Sequence, residues 1–323
     1  MTTTQSITGI HHVTAIASDP QANVDFYTEL LGLRLVKLTV NFDDPGSYHF
    51  YFGNAAGAPG SILTFFPWPG AARGTVGNGQ VSATSFAVGQ ASLDYWRRRL
   101  TDHRVPVEDA DPRFGDPVLR FVDPDGLPLE LVGTADAKSA EAWAGSTIPA
   151  VHAICGFHSA TLSEEGYEKT ASLLQEVMGW HHVGSEGSRF RYRAPAEGGG
   201  TIVDVLCKPD GKFGRLGAGT VHHIAWRTAT ATEQLAWRAT LVREGYNVSP
   251  VMDRTYFQSI YYREPGGILF EIATDPPGFA IDEPPDHLGE RLMLPQPFEK
   301  HRDTLAQALP RLTLPHQKAS GSS

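Results

Sequence analysis

Carboxylate side chains recur at one position of a repeated sequence pattern. Glu130, Asp204 and Glu271 each lie four residues after a glycine, inside an otherwise apolar run, and the remaining copy of the pattern has Thr64 at this position. Burying an ionised carboxylate in an apolar strand is costly unless it is paired with a cation or binds a metal. The recurrence therefore indicates ion pairs or metal ligands at these positions.

Histidines recur near the start of three of the four copies. They are His12, His158 and His223, whereas the second copy has none, because no histidine occurs between His49 and His103. Imidazole and carboxylate groups together are common ligands of divalent transition metals. The combination of an early histidine and a late carboxylate is complete in the fourth copy and partial elsewhere.

The four copies share an order of predicted elements that would position these side chains. Each begins with an alternating strand, continues with an amphipathic helix and ends in several strands, the last preceded by a glycine-containing turn. The apolar spacing of Val24, Tyr27, Leu30 and Leu31 is typical of a helix. The pattern predicts helices near residues 21–32, 92–100, 166–180 and 232–245. We therefore expect an α+β fold of four βαβββ modules.

Length and composition limit the class of protein. A chain of 323 residues exceeds one ordinary core, so we expect two domains, residues 1–145 and residues 146–323, with two modules each. The net charge of −9 disfavours nucleic acid and anionic membranes as partners. The chain has no long apolar run and no signal-peptide pattern, and it has only Cys155 and Cys207. We therefore expect a cytoplasmic protein.

Several segments resemble one group of proteins in particular. They are GIHHVTAI, YHFYFGNAAGAPGSILTFFP, TVHHIAW, DRTYFQSIYYREPGGILFEIATDPPGF and LPQPFEKHRDTL. With the βαβββ repeat, they resemble the vicinal oxygen chelate superfamily, which includes glyoxalase I, bleomycin-resistance proteins and extradiol dioxygenases. Within it, the chain is most similar to the hydroquinone-type ring-cleaving dioxygenases, from about residue 7 to about residue 315. The resemblance implies paired, curled mixed sheets that form a cup around one metal ion.

The resemblance also implies a ligand set and a reaction. It assigns His12, His223 and Glu271 to the metal, which would be Fe(II) or else Mn(II). Two histidines and a carboxylate leave open positions for an aromatic diol and dioxygen. Ring opening would follow oxygen insertion beside a ring hydroxyl. The expected partners are thus a small diol and O2, and assembly as a homo-oligomer is compatible with the superfamily.

Four further residues match family positions next to the substrate. For Tyr261 the resemblance implies hydrogen bonding to a substrate hydroxyl, for Arg254 stabilisation of an oxyanion, and for His11 acid or base chemistry, since imidazole titrates near neutral pH. Thr14 is implied to bind substrate. Without the resemblance, Arg254 could equally form a structural ion pair, and Tyr261 could equally pack in the cup wall.

One alternative ligand set comes from the catechol extradiol enzymes, in which the third and fourth modules supply all ligands. That arrangement would replace His12 by His158. The adjacent His222 is expected to pack or form hydrogen bonds rather than bind metal. Glu130, His158 and Asp204 are interpreted as remnants of a second cup that lacks a full ligand set.

Two other functions compete with ring cleavage. A glyoxalase-like isomerase or lyase would use Ni(II) or Zn(II) and needs a fourth protein ligand, for which Thr64 is a poor candidate. A protein that sequesters an aromatic metabolite or drug without turnover would not need the ligands that this chain retains. Oxygen uptake with a panel of diols distinguishes these possibilities.

Overall fold

The computed structural model describes residues 7–135, 137 and 143–320. The predicted four-fold βαβββ pattern is confirmed. The strands are β1 (Ile10–Ala17), β2 (Arg34–Val40), β3 (Tyr48–Gly53), β4 (Ile62–Pro67), β5 (Gln80–Gly89), β6 (Val107–Arg113), β7 (Asp116–Val122), β8 (Pro128–Thr134), β9 (Phe157–Glu164), β10 (His181–Glu186), β11 (Arg189–Arg193), β12 (Ile202–Cys207), β13 (Val221–Thr228), β14 (Met252–Asp253), β15 (Gln258–Arg263) and β16 (Leu269–Thr274).

Helices follow the first strand of each module, as the apolar spacing predicts. Two of them, in the first and third modules, continue from α-helical into π-helical geometry. The helices are α1 (Pro20–Asp25, then Phe26–Leu30), α2 (Leu93–Asp102), α3 (Glu168–Ser172, then Leu173–Val177), α4 (Ala231–Arg243), α5 (Arg302–Ala308) and α6 (Pro315–Ser320). None of the described helices is long and apolar enough to span a membrane.

The strands form two eight-stranded, curled mixed sheets. One has the order β14-β15-β16-β13-β1-β4-β3-β2 and so joins the first and fourth modules. The other has the order β10-β11-β12-β9-β5-β8-β7-β6 and joins the second and third. Each sheet therefore combines strands from both sides of residue 145, where the sequence suggests a division into domains.

The same backbone turn introduces the last strand of every module. Gly60, Gly126, Gly200 and Gly267 have φ of +88°, +87°, +72° and +97°. Glycine reaches this region without the steric cost that a Cβ atom imposes. The recurring glycines in the sequence thus mark one repeated turn. Because the turn is the same in each module, the residue four positions after the glycine has the same place on the strand each time.

Candidate metal centre

His12, His223 and Glu271 converge at the centre of the sheet formed by the first and fourth modules. His12 is on β1, His223 on the neighbouring β13 and Glu271 on β16, and all three are buried. The Nε2 atoms of the two histidines are 3.4 Å apart. Glu271 Oε2 lies 3.0 Å from His223 Nε2 and 3.4 Å from His12 Nε2. The strand order thus brings together three atoms that are distant in the chain.

The donor set fits one divalent metal ion. Two ligand atoms that lie about 2.1 Å from an ion at right angles to each other are roughly 3 Å apart, close to the separations among these three atoms. Among the described residues, Glu271 Oε2 is buried and has no hydrogen-bond donor assigned to it, whereas Oε1 accepts a bond from Ser259 Oγ at 2.5 Å. One carboxylate oxygen is therefore anchored and the other faces both imidazoles.

Electrostatics favour the metal-binding forms of Glu271 and His223. Burial alone would raise the pKa of Glu271, but the neighbouring His12 and His223 hold this pKa well below its ordinary value. Burial lowers the pKa of His223, although Glu271 partly opposes the shift. An ionised carboxylate and a neutral imidazole are the forms that coordinate a metal.

Each ligand histidine contacts the histidine that precedes it in the chain. The Nδ1 atoms of His11 and His12 are 2.9 Å apart, and those of His222 and His223 are 2.8 Å apart. Burial lowers the pKa of His11 well below its ordinary value and that of His222 to about 4, so both preceding rings are neutral near pH 7. Each can accept the Nδ1 hydrogen of its neighbour and leave the Nε2 lone pair free for a metal.

A cavity of about 370 Å³ opens onto the three ligand atoms. This volume is within the range of small-molecule sites. Its walls are largely aromatic, formed by Phe42, Tyr51, Phe66, Trp68, Phe257 and Tyr261. Asp43 and Asp44 add negative charge, and Arg254 adds positive charge. The cavity therefore suits a flat, apolar ring with polar substituents.

Arg254 connects two polar groups of the cavity wall. Its Nε donates to the Tyr261 hydroxyl oxygen at 3.2 Å, and its Nη2 lies 3.1 Å from Asp43 Oδ2. These contacts raise the pKa of Arg254 although burial alone would lower it, and burial raises the pKa of Tyr261. Because Tyr261 accepts from Arg254, its own hydrogen is available to a molecule in the cavity.

His11 and Thr14 occupy positions behind the cavity surface. His11 lies outside the set of cavity-lining side chains and contacts His12 instead. Thr14 is fully buried, and its hydroxyl is 2.8 Å from that of Thr64. The acid–base role suggested for His11 and the substrate contact suggested for Thr14 remain predictions, and the placement of both residues favours indirect roles.

The strand register separates His158 from the ligand positions. Thr14 pairs with Thr64 and Thr161 pairs with Asp204, so Ser159, rather than His158, is the counterpart of His12. The alignment of His158 with His12 in the sequence is wrong by one residue, and a shift of one residue along a strand changes the face. His158 lies in the other sheet, with its Nε2 3.5 Å from Asp116.

Glu130 and Asp204 form ion pairs in the sheet of the second and third modules. Arg191 donates to Asp204 through Nε at 2.7 Å and through Nη2 at 3.0 Å, and Arg189 adds a bond at 3.0 Å. Arg113 makes two bonds to Glu130. In the second cup, arginine side chains therefore compensate the charge of the carboxylates, whereas in the first cup Glu271 contacts the ligand histidines.

Sequence reasoning missed several residues of the site. His49, Tyr51, Phe257 and Asp43 line the cavity, and Ser259 anchors Glu271. A signal was present in the third strand of the first and fourth modules, where YHFY and QSIY each place a tyrosine two residues after a polar side chain. Only the strand register shows that these tyrosines face the ligand positions.

The sequence of this chain is similar to those of known proteins along most of its length. The protein-family model of the Glyoxalase/Bleomycin resistance protein/Dioxygenase superfamily matches residues 9–131 and 156–272. A Bacillus subtilis protein named "Putative ring-cleaving dioxygenase MhqO" is 50% identical over 93% of this chain and 95% of its own length. The chlorohydroquinone/hydroquinone 1,2-dioxygenase of Sphingobium indicum is 34% identical over 94% of this chain and 97% of its own length.

Solved structures show the same architecture. A crystal structure of a "putative dioxygenase" from Bacillus subtilis is similar with a TM-score of 0.92 and 49% identity, covering 96% of this chain and 99% of that one. Glyoxalase I from Zea mays shares the fold with a TM-score of 0.62 at 13% identity, covering 83% of this chain and 92% of that one. This chain therefore belongs to the glyoxalase, bleomycin resistance protein and dioxygenase superfamily.

Proposed function

We propose that this protein is an Fe(II)-dependent dioxygenase that opens the ring of a hydroquinone-like diol. The observation that carries the proposal is the buried group of His12, His223 and Glu271 at the floor of an aromatic cavity. Three ligands on one side of an ion leave room for both a diol oxygen and dioxygen. Relatives named ring-cleaving dioxygenases support the same reaction type.

A bound iron ion would supply redox chemistry and positive charge that favours an ionised diol oxygen. Around it, the protein would orient the diol and exclude water. The aromatic walls would hold the ring and limit access of water. Tyr261 would donate a hydrogen bond to a substrate oxygen, and Arg254 would hold Tyr261 in place and stabilise negative charge near it.

The histidine pairs would maintain the ligands in the required tautomer. If His11 and His222 accept from His12 and His223, each ligand Nε2 keeps its lone pair directed toward Glu271. Outer partners of this kind raise ligand basicity and fix ring orientation. We therefore propose positioning roles for His11 and His222 and indirect support of the substrate site for Thr14.

The site also bears on the isomerase alternative. Thr64 occupies the position of a fourth ligand, but its hydroxyl contacts both Thr14 and His49 Nε2, at 2.8 and 2.9 Å. A hydroxyl engaged in this way is poorly available to Ni(II) or Zn(II). The open three-ligand arrangement therefore favours oxygen chemistry.

Anaerobic loading with Fe(II), Mn(II), Ni(II) or Zn(II), followed by oxygen uptake with a panel of hydroquinones and catechols, tests the proposal. We expect uptake with Fe(II) and a hydroquinone, one O2 for each ring opened. Glu271→Gln should abolish uptake, whereas His158→Ala in the other sheet should retain it. Uptake with none of the diols, or full activity in Glu271→Gln, would contradict the proposal.

A further inference from the structure

We infer that Tyr51 is a second hydrogen-bond donor to the bound diol, oriented by a chain of hydrogen bonds through His49, Thr64 and Thr14. This inference rests on the proposed function, because it assigns a further residue to the same cavity. Tyr51 and His49 both line the cavity beside the ligand atoms. Thr64 and Thr14 lie beneath them and are fully buried.

Internal symmetry places Tyr51 in the same position as Tyr261. Tyr261 on β15 is paired with Glu271 on β16, and Tyr51 on β3 is paired with Thr64 on β4. Both tyrosines therefore face the fourth position after the turn glycine, one in each module of the sheet. The two modules approach the cavity with matching phenol side chains.

The residue two positions before each tyrosine follows the same symmetry. Ser259 donates to Glu271, and His49 Nε2 lies 2.9 Å from Thr64 Oγ1. His49 Nδ1 also lies 2.9 Å from the Tyr51 hydroxyl. Thr64 Oγ1 in turn lies 2.8 Å from Thr14 Oγ1. Three contacts thus join four side chains in one line that ends at the cavity.

Counting hydrogens gives this line a direction. Burial lowers the pKa of His49 well below its ordinary value, so its ring is neutral and carries one N–H. With one hydroxyl each on Tyr51, Thr64 and Thr14, four hydrogens are available for three contacts. One hydrogen therefore remains unused, on Tyr51, on Thr14, or on Thr64 if Thr64 accepts from both of its neighbours.

Position relative to the cavity decides among these arrangements, because Tyr51 lines it and the two threonines do not. Within the described residues, Thr14 Oγ1 has Thr64 as its hydrogen-bond partner and no other. A surplus hydrogen on either fully buried threonine would lack an acceptor among the described residues, which is unfavourable, whereas Tyr51 lines the cavity. The favoured direction is Thr14 to Thr64, Thr64 to His49 Nε2, and His49 Nδ1–H to the Tyr51 oxygen. The Tyr51 hydrogen then points to the cavity.

This arrangement gives the buried residues a specific effect on binding. Thr14 and Thr64 act as positioning residues, because they set the tautomer of His49 without touching the diol. His49 in turn keeps the Tyr51 oxygen occupied as an acceptor. Tyr51 and Tyr261 would then donate to the diol from the two modules that build the cup.

The tautomer of His49 can be measured without substrate or metal. We expect 15N NMR of the isolated protein to show His49 protonated at Nδ1, with the resonance assigned by its loss in His49→Gln. Thr64→Val should move the proton to Nε2 or produce exchange between the two forms. A His49 protonated at Nε2 in the unaltered protein would overturn the inference.

Kinetics test the effect on the diol. Tyr51→Phe should raise the KM for hydroquinone about tenfold, the loss expected for one hydrogen bond, with unchanged bound iron. Thr64→Val should have a similar effect and Thr64→Ser should restore the normal KM. Tyr262→Phe, which removes a buried hydroxyl near Met178 outside the cavity, is the matched control.

The outcomes separate the role of Tyr51 from the proposed function. An unchanged KM in Tyr51→Phe would overturn the role of Tyr51, and a normal KM in Thr64→Val would overturn the positioning chain. Absence of turnover in the unaltered protein would contradict the proposed function instead. In that case the NMR measurement alone decides whether the hydrogen bonds run from Thr14 toward Tyr51.

Discussion

The two sheets of this protein have the same topology, but the buried carboxylate on the last strand of a module has different neighbours in each sheet. In the metal cup, formed by His12, His223 and Glu271, the residue paired with Glu271 on the next strand is Tyr261. In the arginine cup, formed by Glu130, Asp204, Arg113, Arg189 and Arg191, the residue paired with Asp204 is Arg191. One carboxylate therefore faces imidazoles and a cavity, and the other faces guanidinium groups.

The difference shows that a buried carboxylate does not by itself mark a metal site. At the two histidine positions of the metal cup, the arginine cup has Ala83 and Ser159, as the registers of β5 and β9 show. Without imidazoles, charge compensation comes from arginine side chains. The same turn, strand and carboxylate thus serve an open site in one sheet and a closed ion-pair network in the other.

The largest contrast should come from removing a carboxylate from each cup. Glu271→Gln should weaken metal binding by more than about a hundredfold, since even outer partners of metal ligands contribute 10- to 100-fold. Glu130→Gln should leave metal content unchanged. Metal analysis after anaerobic loading measures both, and equal metal content in the two variants would remove the distinction between the cups.

Arginine removal should mainly affect stability. Arg191→Leu leaves the fully buried Asp204 with Arg189 as its guanidinium partner and should lower the free energy of unfolding by about 3 kcal/mol. The control is Arg120→Leu, because Arg120 is more exposed and lies 3.6 Å from Glu130, so about 1 kcal/mol or less is expected. Urea unfolding of both variants should show this order, and the opposite order would count against the ion pairs as the stabilising feature.

The histidine that precedes each ligand position provides a finer comparison. His11→Phe removes the partner of His12 Nδ1 and should weaken metal binding about 10- to 100-fold. His158→Phe removes the analogous contact with Ser159, whose hydroxyl lies 3.0 Å away, and should leave metal binding unchanged. Competition with a chelator measures the affinities. Equal affinity in His11→Phe and the unaltered protein would argue against tautomer control.

The smallest effect concerns a contact between the third and fourth modules. The Thr170 hydroxyl lies 2.7 Å from Glu164 and 2.6 Å from Glu264, and all three side chains are buried. One hydroxyl hydrogen cannot serve both contacts, so one carboxyl retains a proton. Burial, together with the charge of Glu264, raises the pKa of Glu164 to about 8.

A raised carboxyl pKa means that the folded chain binds more protons than the unfolded chain above about pH 4.5. Stability from this contact is therefore complete below that pH and is lost as pH rises through about 8. We expect the unfolding free energy to fall by about 1–2 kcal/mol between pH 6 and pH 8, and Glu164→Gln to flatten this slope. Identical slopes in urea titrations of both proteins would refute the shared proton.

Much of the fold was predictable because the sequence patterns that indicate its helices and turns lie within short segments of the chain. The helices after the first strands follow from apolar spacing, and the turn glycines recur at fixed distance from the carboxylate positions. The alignment of His158 with His12 failed because a strand changes face at every residue, so a shift of one position cannot be recognised from composition alone. The roles of Tyr51 and His49 were missed for a related reason, since their partners lie on another strand.

The sequence by itself determined the four modules, their turns and the residues able to bind a metal or form ion pairs. Only the tertiary structure decided that the first module pairs with the fourth, which brings His12 to His223 and Glu271 and leaves His158 in the other sheet. The physical reason is that strand order and register depend on contacts between distant segments. Those contacts determine whether a buried carboxylate meets imidazole or guanidinium.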